Sequence, residues 1–123
     1  MRALIVDDYG ANRTNLSRMI AEFGFTSEQA ADGEEELATL AAGGSVDVVL
    51  LDWHMPKMDG MEFLERLRGE AGLTDQKVLM VTTEVDVTQR RRAMDAGADG
   101  FLGKPFSAEM LASKLRGIGI LEA

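Results

Sequence analysis

Two short segments of this chain are apolar at every position. Residues 48–51 read Val-Val-Leu-Leu, and residues 78–81 read Val-Leu-Met-Val. A strand with one face in solvent alternates apolar and polar residues, whereas a strand covered on both faces has no need to alternate. Such strands belong to parallel sheets with helices packed on both sides. The chain is therefore predicted to have an α/β fold.

The rest of the sequence supplies the other strands and the helices of this fold. Predicted strands lie at residues 3–6, 46–51, 77–81 and 100–102, with a weaker one near residues 28–30. Helix starts are indicated by Asp59, by Ser107 and by Asp32, which has Glu35 three places later as in a capping box. A fourth helix is predicted from about residue 87 to residue 96, ending at Gly97. Five βα units of this size predict a doubly wound parallel sheet flanked by five helices.

Polar residues follow the predicted strands at their carboxyl ends. Asp7 and Asp8 follow the first strand, Asp52 the third, Thr82 the fourth and Lys104 the fifth. Doubly wound sheets place their functional groups at this edge, so we expect these side chains to converge. Apart from Asp52, each has an ordinary explanation when taken alone. An Asp pair can begin a turn, a threonine can satisfy backbone groups and a lysine can lie at the surface.

Together these residue types predict phosphoryl chemistry. Asp52 follows four apolar residues, so its carboxylate would emerge beside those of Asp7 and Asp8, where like charges raise the cost of ionisation. Oxygen ligands without any cysteine favour Mg²⁺. Lys104 can offset charge on a transferring phosphoryl group, and the Thr82 hydroxyl can bond one of its oxygens. Asp52 is then a nucleophile that forms an acyl phosphate.

The composition limits the class of protein. A length of 123 residues fits one domain, and a net charge of -8 repels nucleic acid. The absence of cysteine excludes thiolate chemistry and agrees with a reducing compartment, while acids at positions 7 and 8 interrupt the N-terminal apolar run too early for a signal peptide or membrane span. We therefore expect a cytoplasmic monomer that does not bind nucleic acid directly or insert into a membrane.

The motifs resemble the receiver domain of two-component response regulators, and the match runs from Arg2 to Ile118. They comprise Ile-Val-Asp-Asp at residues 5–8, the segment from Leu50 to Gly60 around Asp52, Val-Thr-Thr at 81–83 and Lys-Pro-Phe at 104–106. The Asp-Trp-x-Met-Pro-x-Met-Asp-Gly form is similar to that of chemotaxis regulators built of a receiver domain alone. The resemblance implies a flavodoxin-like sheet with strand order 2-1-3-4-5 and one receiver domain over residues 1–123, without an output domain.

The resemblance also implies roles for individual residues. Asp52 would accept phosphoryl from a histidine kinase or phosphotransfer protein. Mg²⁺ would be held by Asp8, Asp52 and the backbone carbonyl of His54, with Asp7 acting through water. The side chains of His54 and Glu84 would flank the water that hydrolyses the acyl phosphate and so tune its lifetime, although a solvent-facing imidazole at His54 remains the simpler reading.

The same resemblance implies which residues would transmit the signal. Phosphorylation would shift Thr82 and rotate the ring of Phe101, changing a partner surface on the fourth helix, fifth strand and fifth helix; a plain core role for Phe101 remains open. The peptide bond between Lys104 and Pro105 resembles one that is cis in this family. Three consecutive arginines at 90–92 on the fourth helix are either a solvated face or a contact for an acidic partner.

Three alternatives remain. A haloacid dehalogenase-like phosphatase also uses a strand-end Asp, a Lys and Mg²⁺, but it predicts an acid two residues after the nucleophile, where this chain has His54. A non-phosphorylated interaction module with the receiver fold would ordinarily lack one of the acids or the lysine. Flavodoxin-like FMN binding would need a Ser/Thr-rich phosphate loop after the first strand, where Tyr-Gly-Ala-Asn stands instead.

Overall fold

Five strands and five helices alternate along the described part of the chain. The computed structural model describes residues 1–44, 46–55, 57–69, 72–83 and 86–121. The elements in chain order are β1 Arg2–Val6, α1 Gly10–Ala21, β2 Thr26–Ala30, α2 Glu34–Ala41, β3 Val48–Leu51, α3 Gly60–Arg68, β4 Val78–Thr82, α4 Val87–Asp95, β5 Gly100–Gly103 and α5 Ala108–Gly117. All neighbouring strands are parallel, and their order is β2-β1-β3-β4-β5. The predicted fold and strand order are confirmed.

The sheet buries side chains on both faces, as the uninterrupted apolar strands predict. Every residue of β3 and of β4 is buried. Alternate residues point to opposite faces, so β1, β3, β4 and β5 each contribute to two apolar clusters. One cluster joins the sheet to α2, α3 and α4 and contains Val49, Leu51, Val78, Met80 and Phe101. The other joins it to α1 and α5 and contains Val48, Leu50, Leu79, Val81 and Leu102.

Most of the predicted helix ends are where the capping residues put them. The side chain of Asp59 accepts a hydrogen bond from the Glu62 amide at 2.9 Å, and the Ser107 hydroxyl accepts one from the Met110 amide at 3.2 Å. Helix α4 ends at Asp95, and Gly97 follows with a φ of 107°. Only glycine adopts that φ readily, so Gly97 stops the helix as predicted.

The predicted capping box at the start of α2 is wrong by one residue. The N-cap is Gly33, which has no side chain to offer, and the Asp32 carboxylate instead accepts from the Glu34 amide at 3.2 Å. This is an Asx turn, an alternative that Asp favours because its short side chain reaches the amide two places on. Gly33 is also held close to α3, since a Cβ there would lie 2.5 Å from the ring of Phe63.

The end of the sheet opposite the predicted site is closed by one arginine. The Arg68 guanidinium, at the C-terminus of α3, donates hydrogen bonds to the carbonyls of Leu73, Gln76 and Gly97 at 2.6 to 3.2 Å. It also pairs with the Asp99 carboxylate at 3.1 Å, and Asp99 in turn accepts from the Val78 amide at 2.8 Å. Arg68 thereby ties α3, the start of β4 and the turn between α4 and β5 together.

Within the described ranges, no helix has both the length and the apolar character needed to cross a membrane.

Candidate functional site

The carboxylates of Asp7, Asp8 and Asp52 meet at the carboxyl edge of the sheet. Strands β1 and β3 pair in parallel with Val6 opposite Leu51, so the residues that follow them lie side by side. The Asp52 amide donates to the Val6 carbonyl at 2.9 Å and fixes this register. One carboxylate oxygen from each of the three residues lies within 4.8 Å of the others. The convergence expected from the strand ends is therefore present.

Asp7 is the most enclosed of the three acids. Its residue is 2% exposed, whereas Asp8 is an exposed residue at the rim. One Asp7 oxygen accepts from the Tyr9 amide at 2.9 Å, and the other pairs with the Lys104 ammonium at 3.0 Å. A second cation, Arg13, donates to the Asp7 backbone carbonyl at 2.7 Å. The buried charge of Asp7 is thus matched by a direct ion pair and a backbone donor.

Lys104 reaches the pocket from the edge strand β5, which lies on the other side of β3 from β1 and Asp7. It follows β5, and its amide donates to the Thr82 carbonyl at 2.8 Å, which extends the β4 and β5 pairing by one step. Its ammonium lies 3.0 Å from Asp7 and 3.9 Å from Asp52, and the side chain is 16% exposed. The peptide bond between Lys104 and Pro105 is cis. Lys104 therefore supplies the positive charge that borders both buried acids.

Burial raises the pKa of the Asp52 carboxyl above its ordinary value. The Lys104 ammonium opposes this rise in pKa, while the negative charge of Asp7 adds to it. Hydrogen bonds from the Thr82 side chain and the His54 backbone also favour the ionised form and hold the pKa of Asp52 down. Burial outweighs these stabilising contacts, so Asp52 is a carboxylate whose charge its surroundings do not fully satisfy.

Thr82 and Phe101 lie on one face of the sheet. Phe101 is opposite Met80 in the register of β4 and β5, and Thr82 is two residues beyond Met80, so their side chains project to the same side. Thr82 has no exposed surface, and Phe101 is 5% exposed. Both are therefore packed, and a movement of the Thr82 side chain towards Asp52 would alter the space available to that ring.

The segment after Asp52 is fitted tightly against α3, which sequence reasoning missed. The Gly60 amide donates to the Trp53 carbonyl at 2.8 Å, and a Cβ on Gly60 would lie only 2.3 Å from the Asp52 carbonyl oxygen. Lys57 in the same loop has a φ of 69°, which is rare for a residue other than glycine. The Asp-Gly pair at 59 and 60 is a sequence signal for a turn or cap, but it does not reveal this close approach.

The pocket has the donor set that a magnesium site requires. Three carboxylates provide only oxygen ligands, and an open cleft of about 530 Å³ beside them is lined by Asp8, Trp53, His54, Met55 and Asp59. Mg²⁺ is bound by a few carboxylates together with waters and phosphate oxygens, which need such open space. His54 is an exposed residue at this cleft. Glu84, the other residue predicted to lie near the hydrolytic water, is outside the described residues.

Comparisons with known proteins agree with this geometry. Residues 3–116 match the family model of the response regulator receiver domain. The chain is 35% identical over 118 residues to the chemotaxis protein CheY of Pseudomonas aeruginosa, covering 96% of this chain and 95% of that protein. It is 36% identical over 115 residues to CheY-3 of Vibrio cholerae, covering 94% and 88% respectively. The solved structure of the chemotaxis protein CheY4 of Vibrio cholerae superposes with a TM-score of 0.85 at 35% identity, covering 95% of this chain and 97% of that one.

Proposed function

Because the chain belongs to the response regulator receiver domain family, we propose that it is a phosphorylation switch whose phosphoacceptor is Asp52. The observation that carries the proposal is the position of the Asp52 carboxylate. It stands within 4.8 Å of two further carboxylates and 3.9 Å from the Lys104 ammonium, at the end of a fully buried strand. A nucleophile, a cation and a ligand set for Mg²⁺ therefore occupy one small volume.

The proposed reaction transfers a phosphoryl group to Asp52. A carboxylate oxygen of Asp52 forms a bond to phosphorus, while the bond from phosphorus to the donor's imidazole nitrogen breaks and that nitrogen takes up a proton. Lys104, whose ammonium lies 3.9 Å from Asp52, would bind an oxygen of the transferred group, and the Thr82 hydroxyl would donate to another once its bond to Asp52 is released. Attack of water on phosphorus then breaks the acyl phosphate bond, which releases inorganic phosphate and returns Asp52 to a carboxylate.

Mg²⁺ at this site would be held by Asp8, Asp52 and the His54 carbonyl, with Asp7 contributing through water. When bound, the ion neutralises negative charge on the acids and on phosphoryl oxygens. The protein's own contribution is to hold the acids together before the ion arrives. Asp7 keeps Lys104 directed into the pocket through its 3.0 Å contact, and the α3 junction at Gly60 keeps the Asp52 backbone in place.

The partners proposed for the switch follow from its relatives. A histidine kinase or phosphotransfer protein would donate the phosphoryl group, and the chemotaxis relatives suggest a pathway that controls motility. Coupled movement of Thr82 and Phe101 would change the surface formed by α4, β5 and α5, where a downstream target would bind. His54 and Glu84 would set the lifetime of the acyl phosphate.

The proposal is tested by the intact mass of the protein after incubation with acetyl phosphate and Mg²⁺. We expect the gain of one phosphoryl group, lost again on standing or in alkali, because acyl phosphates hydrolyse. Asp52→Asn should not gain it. Glu65→Gln is the matched control, since it removes an exposed acid of α3 while leaving the pocket unchanged.

A second candidate function is an interaction module that keeps the receiver fold without phosphorylation. It predicts no gain of mass from acetyl phosphate even at high Mg²⁺, and binding to its target that is the same for the wild type and Asp52→Asn. The complete set of acids, lysine and threonine around Asp52 favours the phosphorylated switch.

A further inference from the structure

Helix α4 is attached to the sheet by few apolar side chains. Of its nine residues, all of them described, only Ala93 is buried. Val87 is 69% exposed and Met94 is 43% exposed, so they contribute little to the core. Helices are normally held by an apolar stripe that spans several turns. The position of α4 on the sheet must therefore depend on other contacts.

Two arginines provide such contacts, one on each flank of α4. The Arg92 guanidinium lies over the ring of Trp53, 5.9 Å from the ring centre, and the Arg90 guanidinium lies over the ring of Phe101 at 5.5 Å. Residues two apart on a helix point about 200° from one another, and Ala93 faces the sheet between them. The two arginines therefore brace α4 from opposite sides, one against the β3 end and the other against β5.

The Arg92 side chain is held for this contact by its own helix. Its guanidinium donates to the Gln89 side-chain oxygen at 3.0 Å, one turn back along α4. A cation over the face of tryptophan is the most favourable of the cation–π pairs. In the arginine run at 90–92, Arg90 and Arg92 therefore lie over aromatic rings, whereas Arg91 has no such ring contact among the described residues.

Trp53 is directly joined to the phosphoacceptor. It follows Asp52 in the chain, is 6% exposed, and belongs to the same apolar cluster as Ala93 and Phe101. Its carbonyl accepts from the Gly60 amide at 2.8 Å, while the Asp52 amide is bonded to Val6. Hydrogen bonds on both sides leave the backbone between Asp52 and Trp53 little freedom to absorb a displacement locally. A displacement of the Asp52 backbone would therefore also move Trp53, and with it the ring that Arg92 covers.

From this geometry we propose that Arg92, through its contact with Trp53, couples the position of helix α4 to the state of Asp52. The inference rests on the proposed phosphorylation of Asp52 and adds a connection to it. This connection runs along β3 and the segment after it, and does not pass through Thr82 and Phe101. Arg92 is on this account a positioning residue, since it touches neither the phosphoryl group nor the pocket acids.

The test uses Arg92→Gln, with Arg91→Gln as a control that removes the same charge one residue away and Arg92→Lys as the conservative variant. Trp53 is the only tryptophan, so all the tryptophan emission comes from the ring that Arg92 covers, and the variants are compared without Mg²⁺ because Trp53 also lines the cleft beside the acids. Without phosphorylation, we expect Arg92→Gln to shift the Trp53 emission. We also expect it to speed amide hydrogen exchange in α4 about two- to five-fold, which is the change expected from the loss of one exposed cation–π contact. Arg91→Gln and Arg92→Lys should resemble the wild type in both measurements.

The same proteins are then treated with acetyl phosphate and Mg²⁺, and the phosphoryl gain of each is read from its intact mass. We expect the change of α4 exchange on phosphorylation to be at most half as large in Arg92→Gln as in Arg91→Gln at equal phosphoryl gain. An equal response in these two variants, or an unchanged Trp53 emission in Arg92→Gln, would overturn the inference. If the wild type gains no phosphoryl group, the proposed function fails and the coupling fails with it, and the mass measurement identifies that outcome.

Discussion

Asp52 has a charge that the folded protein disfavours. Burial and the neighbouring Asp7 raise the pKa of its carboxyl, and Lys104 and two hydrogen bonds offset only part of that rise. An imperfectly satisfied carboxylate is more basic and hence a better nucleophile than a well-solvated one. The cost in folding stability and the readiness to accept phosphoryl thus have the same physical origin at this residue.

Replacing Asp52 by Asn should therefore stabilise the protein. A group whose pKa is raised on folding adds stability while protonated and loses that contribution as the pH rises through its folded pKa. At neutral pH we expect Asp52→Asn to increase the free energy of unfolding by about 0.5–2 kcal/mol, and the gain to shrink as the pH falls towards the ordinary carboxyl range. Urea unfolding at several pH values measures this. Glu65→Gln should show no such trend, and a destabilised Asp52→Asn at neutral pH would contradict the account.

Lys57 offers a second prediction at the residue scale. Its φ of 69° costs a side-chain-bearing residue about 1 kcal/mol, which glycine avoids. Lys57→Gly should therefore be neutral or stabilising despite the added freedom of the unfolded chain. Lys57→Ala is the control, because alanine keeps the Cβ and gains nothing. Thermal unfolding of the two variants decides, and a glycine variant no more stable than the alanine variant would contradict backbone strain at Lys57.

Among the elements, α3 and α4 differ most in how they are held. Helix α3 buries Met61, Phe63, Leu64 and Leu67, whereas α4 buries Ala93 alone. The C-terminal end of α4 is nevertheless fixed, because Arg68 bonds the Gly97 carbonyl that follows it. Any movement of α4 is therefore expected to be largest towards its N-terminus, the end nearer the phosphoacceptor.

Arg68 should be far more important for stability than its neighbour Arg66. Arg68→Ala removes a nearly buried guanidinium, takes this donor from three carbonyls and leaves Asp99 with the Val78 amide and the Lys77 ammonium, so we expect a loss of about 2–4 kcal/mol of unfolding free energy. Arg66→Ala breaks an exposed pair with Glu34 at 3.0 Å and should cost no more than about 1 kcal/mol. Denaturant unfolding of both variants measures the two losses of unfolding free energy. Equal losses would contradict the stabilising role given to Arg68.

The carboxyl ends of the strands were predictable to within about one residue, whereas the start of β3 was predicted two residues early and the contacts of Arg68 and Arg92 were not predicted. The apolar runs at residues 48–51 and 78–81 determine the central strands because period and burial are local properties of a sequence. The convergence of the acidic side chains and Lys104 at one edge of the sheet follows directly from the order of the parallel strands. The start of α2 was misplaced because Asp32 can cap a helix or form an Asx turn, and only packing of Gly33 on Phe63 decides between them. The Arg68 and Arg92 contacts join elements far apart in sequence, and no local pattern marks them.

For the molecule as a whole, charge is distributed unevenly. The chain has a net charge of -8, and three acids are gathered at one edge of the sheet, where one lysine borders them. Repulsion among these three carboxylates lowers the free energy of unfolding of the metal-free protein. A cation that binds only the folded pocket relieves that repulsion and stabilises the native state by mass action.

Magnesium should accordingly raise the melting temperature. At ten times its dissociation constant, a ligand of the folded state adds about 1.4 kcal/mol. We expect the increase in the wild type and in Glu65→Gln, and we expect chelation to reverse it. Asp8→Asn should lose most of the increase, because Asp8 is an exposed member of the carboxylate group whose removal leaves the core intact. An equal Mg²⁺ effect on Asp8→Asn would place the ion elsewhere.

The central claim is that the fold makes Asp52 the one side chain that accepts phosphoryl. The most direct measurement is to treat the protein with acetyl phosphate and Mg²⁺, reduce the acyl phosphate with borohydride, and sequence the peptides by mass spectrometry. Reduction converts a phosphorylated aspartate to homoserine, so the modified position is recorded permanently. The account predicts homoserine at position 52 alone, and none when Mg²⁺ is chelated. Homoserine at position 7 or 8, or its absence from every position in the presence of Mg²⁺, would contradict it.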